Sequence, residues 1–245
     1  MTFWTLSHHE RLAVLTFARP PENLMNLVSM AELAAELDKI ADQTAKVSAV
    51  MLASSVDGYF IKHADLEDLA RGARGELSEA ERNAWQTALG LLERIPQPTI
   101  AAIDGQAWGG GLETALACTL RVASRRSHFG QPEIFSGLTP GGGGTQRLPR
   151  VLGPTRAAEL ILSGRIMQAD EAHQAGLLNA VLETSGFSFE AINWASVIAR
   201  QSPSALFAAK RAMLEGRELN LDDGLALERK LFREALASSP LSRRA

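Results

Sequence analysis

Short apolar runs rich in β-branched residues recur along the first 185 residues, and longer amphipathic segments separate them. Runs of this length and composition are typical of short, mostly buried β-strands. The predicted strands are Arg11–Phe17, Val47–Ala53, Thr99–Ile103, Thr119–Ala123 and Leu178–Leu182. The alternation predicts an α/β body, in which helices cover a sheet.

Four helices are predicted in the same region. The segments Ser29–Glu32 and Ser78–Glu81 both read Ser-x-x-Glu, the form of a capping box, in which each side chain satisfies a free amide at the helix start. A third helix is predicted to begin within Gly109–Gly111. The fourth is predicted over Pro154–Ser163, because proline suits the first position of a helix.

The strand pattern ends after Leu182, and three amphipathic segments follow it. Apolar residues at helical spacing predict three further helices there. These are Phe189–Arg200, Ser204–Glu215 and Leu221–Leu236. We therefore expect two regions, a core of residues 1–185 and a helical C-terminal region of residues 186–245.

Composition and charge narrow the classes of partner. The chain has 245 residues, of which 46% are hydrophobic and 22% charged, so it can bury a full core and disorder is not expected. The formal net charge is −3, and the basic residues are scattered along the sequence. The basic patch of a nucleic-acid or anionic-membrane binder is therefore missing, and we expect a small molecule or a protein as partner.

Two further features bear on location and on cysteine and metal chemistry. Charged and histidine residues interrupt Met1–Pro20, so it lacks the apolar centre of a signal peptide, and no run approaches the ~18 apolar residues of a membrane span. We expect a cytoplasmic protein. Cys118 is the single cysteine, which excludes an intrachain disulfide and favours a small buried hydrophobe. No metal is expected, since the adjacent His8 and His9 would point to opposite faces of a strand.

The three glycines Gly109–Gly111 lie between a predicted strand and a predicted helix. Amides at a helix start lack intrahelical partners, and the helix dipole favours negative charge there, so the segment can bind an anion. A nucleotide phosphate is disfavoured, because Thr114 stands where the last glycine of G-x-G-x-x-G would fall. The remaining alternatives are an anion site of another kind and a helix that simply packs close to a strand.

A second unusual segment covers residues 129–149. Glu133 follows a proline at the edge of an apolar stretch, where partial desolvation would raise its pKa and suit it to acid–base chemistry. The alternative is an ordinary exposed glutamate in a loop. Gly141–Gly144 resembles an anion cradle, but no lysine follows it, which favours a tight structural turn. For Arg147 and Arg150 we expect solvation or a salt bridge rather than contact with a phosphate.

Several of these segments together resemble one protein family. They are Pro-Thr-Ile-Ala-Ala-Ile-Asp-Gly-Gln-Ala-Trp-Gly-Gly-Gly-Leu-Glu (98–113), Phe-Gly-Gln-Pro-Glu (129–133) and Gly-Gly-Gly-Gly-Thr-Gln-Arg-Leu (141–148). The resemblance is to the enoyl-CoA hydratase/isomerase (crotonase) family, and it extends over nearly the whole chain. It implies the crotonase fold, an α/β spiral of repeated β-β-α units, with a C-terminal helical region that assembles trimers or hexamers.

The resemblance also implies a substrate and a site. Members of the family bind an acyl-CoA thioester and stabilise the enolate oxygen formed from its carbonyl, with two backbone amides as the oxyanion hole. The matching amides are those of Ala64 and Gly110. Asp65, Leu66 and Gly109 match further substrate-binding positions. No separate cofactor is implied, because coenzyme A is part of the substrate.

Both glutamates of the family's hydratases have a counterpart here. Glu113 would orient and deprotonate the water that adds to C3, and Glu133 would supply a proton to C2. The resemblance thus favours hydration of a trans-2-enoyl-CoA to a 3-hydroxyacyl-CoA, as in fatty-acid β-oxidation or related acyl-CoA metabolism. Isomerisation of the double bond through one carboxylate is the first alternative. A catalytically weak acyl-CoA-binding protein is the alternative from another class.

The chain departs from the family pattern at three places. Small residues usually precede the first oxyanion-hole amide, whereas Lys62 and His63 stand here. These two side chains would narrow the acyl pocket, bind a substrate carboxylate or point to solvent. Glu67 replaces a basic residue that often follows this amide, and the segment Ser239–Ala245 stands where relatives continue into a basic-aromatic tail that touches a neighbouring subunit and the CoA. We expect both contacts to be missing.

Overall fold

The computed structural model describes residues 2–243 and contains two sheets. The larger sheet has six strands in the spatial order β1-β2-β3-β5-β7-β10, and its strands are parallel except for the antiparallel pair of β1 and β2. These strands are β1 (Trp4–His9), β2 (Leu12–Phe17), β3 (Ala49–Ser54), β5 (Thr99–Ile103), β7 (Leu120–Ser124) and β10 (Ala180–Leu182). All five predicted strands are confirmed as members of this sheet, with ends shifted by one or two residues.

The smaller sheet has four strands in the order β4-β6-β8-β9. They are β4 (Tyr59–Ile61), β6 (Gln106–Trp108), β8 (His128–Gly130) and β9 (Ile166–Gln168). Each of β4, β6 and β8 directly follows a strand of the larger sheet, so the chain passes repeatedly from one sheet to the other and then into a helix. These repeated β-β-α units form the expected crotonase spiral.

Helices follow each crossing and cover the sheets. They are α1 (Leu27–Ala41), α2 (Leu66–Ala73), α3 (Glu79–Arg94), α4 (Gly110–Ala117), α5 (Gly144–Leu152), α6 (Pro154–Ser163), α7 (Ala169–Gln174), α8 (Phe187–Ala199), α9 (Pro203–Gly216) and α10 (Leu221–Ser238), with short 3-10 helices at Pro132–Ser136 and Pro240–Arg243. The main core lies between the sheets and α1, α3 and α4, and Phe17, Phe60 and Phe129 are fully buried in it.

One of the two predicted capping boxes is wrong. Helix α1 starts three residues earlier than predicted, because the Asn26 side chain caps it by accepting a hydrogen bond from the Ser29 amide at 2.8 Å. The Glu32 carboxylate is occupied elsewhere and accepts from the amide of Phe3 at 2.9 Å, which ties β1 to α1. The capping box between Ser78 and Glu81 at the start of α3 is confirmed.

The C-terminal helices α8, α9 and α10 confirm the three predicted amphipathic segments. Helix α8 packs on the larger sheet through Phe187 and three alanines, whereas α9 and α10 pack against each other. Lys210 of α9 is buried, and its Nζ donates to the carbonyls of Ile95 and Gln97 at 2.8 and 2.9 Å, which anchors α9 beyond the end of α3. The division at residues 185 and 186 stays a prediction. The last two residues of the predicted tail, 244 and 245, lie outside the described residues.

None of the helices described over residues 2–243 combines the length and the apolar character that a membrane span requires.

Candidate active site

The backbone amides of Ala64 and Gly110 lie side by side. Ala64 follows β4 and forms an isolated bridge with Met25, whereas Gly110 is the first residue of α4. A Cβ placed on Gly110 would be 3.2 Å from the Ala64 nitrogen. Neither N–H donates to another protein group within residues 2–243, so both are free to bind a ligand oxygen. The positive end of the α4 dipole adds to the field at this point.

Each of the three glycines before Glu113 meets a separate constraint. Gly109 has a φ of 48° with a ψ of −120°, a conformation that L side chains rarely adopt. A Cβ on Gly110 would be 2.5 Å from Cη2 of Trp85, and one on Gly111 would be 1.9 Å from the Ile61 carbonyl oxygen. The close packing expected from the sequence is confirmed at Gly111, whereas the anion site stays a prediction, for which Gly110 presents a free amide.

Glu113 lies one turn into α4 and is buried. Its Oε1 accepts hydrogen bonds from the amides of Gly142 and Gly144 at 2.7 and 2.8 Å. Burial raises the pKa of Glu113, and these two amides together with the positive charge of Arg147 oppose the increase. We expected only a tight structural turn at Gly141–Gly144. The structure corrects this expectation, because the turn also binds an anion, the protein's own carboxylate.

Glu133 lies on the 3-10 helix at Pro132–Ser136 and is partly buried. Burial, followed by the negative charge of Glu113, raises the pKa of Glu133 to about 7. The side-chain amide of Gln131, oriented to satisfy its neighbours, donates to the two Glu133 carboxylate oxygens at 2.8 and 3.1 Å. Glu133 is thus a desolvated carboxylate with a fixed orientation, as the acid–base interpretation requires, and not an ordinary loop residue.

A single cavity of about 610 Å³ connects these groups. All seven residues predicted for the site line it, namely Ala64, Asp65, Leu66, Gly109, Gly110, Glu113 and Glu133. The side chains that complete its wall are mainly apolar, among them Leu69, Leu77, Trp85 and Leu138. The cavity therefore brings two free amides and the carboxylates of Glu113 and Glu133 beside an apolar surface, and Asp65, Asp68 and Glu81 also line it.

The two bulky residues before Ala64 also line the cavity. Lys62 forms an ion pair with Glu22 and lies 5.7 Å from the centre of the Tyr59 ring. Nδ1 of His63 is 2.7 Å from the carbonyl oxygen of Ala64, so the imidazole is held close to the main chain at Ala64. The ion pair of Lys62 with Glu22 was not among the three expectations for these side chains, and those expectations stay predictions.

Other predicted residues have structural roles. Arg147 donates from Nε and Nη2 to Glu93 at 2.9 and 3.0 Å, which confirms the expected salt bridge, and its Nη1 donates to the Gly142 carbonyl at 2.8 Å. Arg150 lies 3.8 Å from Glu218 at the surface. Glu67 pairs with the exposed Arg74 at 3.0 Å.

Cys118 is buried as predicted, and burial raises the pKa of its thiol to about 12. Across residues 2–243, His, Cys, Asp and Glu side chains do not gather in threes or more at a position suited to a metal ion.

Sequence reasoning missed three residues of the site. Gln131 lies two positions before Glu133, but nothing in the sequence shows that its amide faces the carboxylate. Trp85 lies on α3, and its ring touches Gly110 at the edge of the cavity, a contact that no local sequence signal indicates. Arg82 lines the cavity one helical turn before Trp85, a spacing that could have drawn attention to it.

The two linked sheets and the paired amides at the start of α4 define a protein of the crotonase fold. Comparison with known proteins agrees, since the sequence model described as enoyl-CoA hydratase/isomerase matches residues 7–242. The chain therefore belongs to the enoyl-CoA hydratase/isomerase family.

Individual relatives support the same assignment. The chain is 37% identical over 229 residues to 2,3-dehydroadipyl-CoA hydratase of Escherichia coli, an alignment that covers 93% of this chain and 88% of that protein. It is 38% identical to mitochondrial methylglutaconyl-CoA hydratase of Mus musculus, over 89% of this chain and 68% of the other. The crystal structure of an enoyl-CoA hydratase from Bacillus anthracis superimposes with a TM-score of 0.88 at 32% identity, covering 98% of this chain and 92% of that one.

Proposed function

We propose that the protein is an enoyl-CoA hydratase, which adds water to a trans-2-enoyl-CoA and forms a 3-hydroxyacyl-CoA. The observation that carries this proposal is the presence of two carboxylates, Glu113 and Glu133, on the same cavity as the free amides of Ala64 and Gly110. The relatives named as hydratases support it. Coenzyme A enters as part of the substrate, and the proposed reaction needs no further cofactor.

The amides act first on the substrate carbonyl. The thioester oxygen accepts hydrogen bonds from Ala64 and Gly110, which polarises the conjugated double bond and makes C3 electrophilic. Glu113 takes a proton from a water molecule as the water oxygen bonds to C3. The electron pair of the double bond moves onto the thioester oxygen, where the two amides stabilise the enolate. Glu133 then transfers its proton to C2, which restores the carbonyl and completes the addition of one water.

The environments of the two glutamates suit these different roles. A general base must be ionised, and the Gly142 and Gly144 amides stabilise the charged form of Glu113 despite its burial. A general acid must hold a proton, and a pKa of about 7 keeps a large share of Glu133 protonated at neutral pH. Two carboxylates with different surroundings can thus divide acid and base work between them.

A second candidate reaction is migration of the double bond. With a pKa of about 7, Glu133 could remove a proton from one carbon and return it to another without any addition of water. The same two amides would stabilise the dienolate. Isomerisation would leave Glu113 without a chemical role, although two amides hold its carboxylate in place, and we therefore prefer hydration.

Product analysis separates these reactions. The purified protein is incubated with trans-2-butenoyl-CoA and, separately, with a 3-enoyl-CoA, and the thioesters are analysed by mass spectrometry. Hydration adds the mass of one water to the first substrate and should continue in the presence of a metal chelator. If the 3-enoyl-CoA is converted at unchanged mass while the 2-enoyl-CoA gains no water, the protein is an isomerase. Tight binding without turnover of either substrate would instead identify an acyl-CoA-binding protein.

A further inference from the structure

Arg82 lines the catalytic cavity beyond the oxyanion site. Trp85, three residues later on α3, packs its ring against Gly110 and so marks the position of the thioester carbonyl. Residues three apart lie on the same face of a helix, and three residues correspond to about 4.5 Å along its axis. Arg82 is an exposed residue, and it lines the cavity from a position about one helical turn along α3 from Trp85.

The guanidinium is held by the main chain and not by a carboxylate. Its Nη1 donates to the carbonyl of Leu77, just before the start of α3. Within residues 2–243 Arg82 forms no salt bridge. The adjacent carboxylate of Glu81 is already occupied, because it accepts from Arg71 at 2.7 Å and from the Ser78 amide at 2.9 Å. Donors on Arg82 thus remain free to bind an anion.

The surroundings of Arg82 suit an acyl group more than a phosphate. Leu77, whose carbonyl holds the guanidinium, packs near Gly72 of α2, and Leu69 and Leu138 line the same cavity. An alkyl chain fits such a wall but gains nothing from a cation. A short acyl chain that ends in a carboxylate would contact the apolar wall with its methylene groups and the Arg82 guanidinium with its carboxylate. The planar guanidinium matches the two oxygens of a carboxylate.

We propose that Arg82 binds a carboxylate at the far end of the acyl group, so that the preferred substrate is an enoyl-CoA with a second, terminal carboxylate. The proposal rests on the proposed hydratase function for its chemistry, but the binding step can be measured without turnover. It assigns Arg82 a role in substrate specificity, distinct from the steps carried out by Glu113 and Glu133.

Paired substrates test the proposal. Values of kcat/KM are measured for 2-enoyl-CoA thioesters of equal carbon number, one ending in a carboxylate and one in a methyl group, with wild type, Arg82→Leu, Arg82→Lys and the control Arg94→Leu. Arg94 lies on the same helix but does not line the cavity. Arg82→Leu should lower the ratio of kcat/KM for the carboxylated thioester to kcat/KM for the neutral thioester by about tenfold or more, mainly through KM of the carboxylated thioester. The kcat/KM of Arg82→Lys for the carboxylated thioester should lie between the values of wild type and Arg82→Leu. The kcat/KM of Arg94→Leu should equal that of wild type.

Binding of saturated thioesters keeps this test independent of the reaction. Calorimetry with glutaryl-CoA and pentanoyl-CoA should show tighter binding of the carboxylated ligand to wild type, and loss of this preference in Arg82→Leu. Equal preference in both proteins overturns the role of Arg82, even if hydration is confirmed. If Arg82→Leu weakens both CoA ligands equally but leaves the corresponding pantetheine thioesters unaffected, the guanidinium binds a CoA phosphate and the proposal is wrong. Failure of hydration with intact binding preference overturns only the proposed reaction.

Discussion

The amide of Gly142 donates a hydrogen bond to Oε1 of Glu113 at 2.7 Å, across 29 residues of sequence. Arg147 holds the same loop from its other side through the Gly142 carbonyl, and the Arg147 guanidinium is itself fixed by Glu93. The position of the proposed catalytic base therefore depends on the loop at Gly142 and on the ion pair between Arg147 and Glu93.

A side chain at position 142 should disturb this arrangement. A Cβ on Gly142 would be 2.6 Å from Oε2 of Glu113, so Gly142→Ala must displace the carboxylate and should lower kcat for hydration by roughly 10-fold or more. Gly141→Ala is the matched control, because a Cβ there meets nothing within 4 Å. Steady-state kinetics of both variants check the prediction, and equal activity would show that the carboxylate tolerates displacement.

Replacement of either glutamate should impair hydration strongly. Glu113→Gln and Glu133→Gln should each reduce kcat by roughly 10²–10⁴-fold, the range for one general acid or base, with little change in substrate binding. The double variant should lose much less kcat than the product of the two single reductions, because the effects of groups that act as a unit are not additive. A single variant that keeps near wild-type hydration would rule out the two-glutamate mechanism, and exchange of the C2 proton with solvent would then identify the surviving carboxylate.

The pH dependence of hydration should reflect Glu133. The general acid works in its protonated form and its pKa is about 7, so kcat/KM should fall as the pH rises through about 7. A pH–rate profile with a neutral enoyl-CoA measures this decline. The residual activity of Glu133→Gln should lack it, and a wild-type profile that stays level through neutral pH would contradict the assignment.

The same titration affects stability in the absence of substrate. Folding raises the pKa of Glu133 above its ordinary value of 4.5, so the folded state binds this proton more tightly than the unfolded state. The resulting stabilisation is present below about pH 4.5 and is lost as the pH rises through about 7. Glu133→Gln should therefore gain thermal stability relative to wild type at about pH 8 and not at about pH 4, by about 1 kcal/mol after allowance for solvent screening.

The space around Gly110 leads to a separate prediction for the oxyanion site. A Cβ there would meet Cη2 of Trp85 at 2.5 Å and the Ala64 nitrogen at 3.2 Å, so Gly110→Ala should force the two amides apart. Loss of one oxyanion-hole donor costs roughly 10²–10³-fold in kcat. Gly216→Ala, at the end of α9, is the control. A Cβ on Gly216 would be 4.0 Å from Cα of Gly224, so this variant should have the kcat of wild type. Circular dichroism should show that both variants keep the fold.

Exposed apolar side chains on α10 predict self-association. Leu221, Leu225, Phe232 and Leu236 are between 40% and 76% exposed in the single chain. Symmetric burial of this face between copies would remove it from water, and we expect a trimer or a hexamer. Light scattering at micromolar concentration tests this expectation, with Phe232→Glu expected to shift the population toward smaller species. A wild-type protein that remains a monomer would overturn it.

Elements whose signals are local could be predicted from the residues alone. Strands of five or six residues buried on both faces give nearly continuous apolar runs, which located β2, β3 and β5. The capping box at Ser78 and the proline at Pro154 located two helix starts, because a cap depends on residues within one turn. The motifs around Gly110 and Glu133 indicated the family, since their residue types are set by the chemistry at the cavity.

The way these elements pack together depends on long-range contacts in the folded chain. The strands of the smaller sheet have three residues each, which is too few for any periodicity, so their pairing appears only after the chain has folded. Asn26, and not Ser29, caps α1, and the Glu32 carboxylate accepts a hydrogen bond from the amide of Phe3, the residue before β1. The pKa of Glu133 depends on burial and on the charge of Glu113, and the Gly142 amide that holds Glu113 lies 29 residues away in the sequence. Burial and long-range contacts are properties of the packed chain, and a local pattern of residues does not contain them.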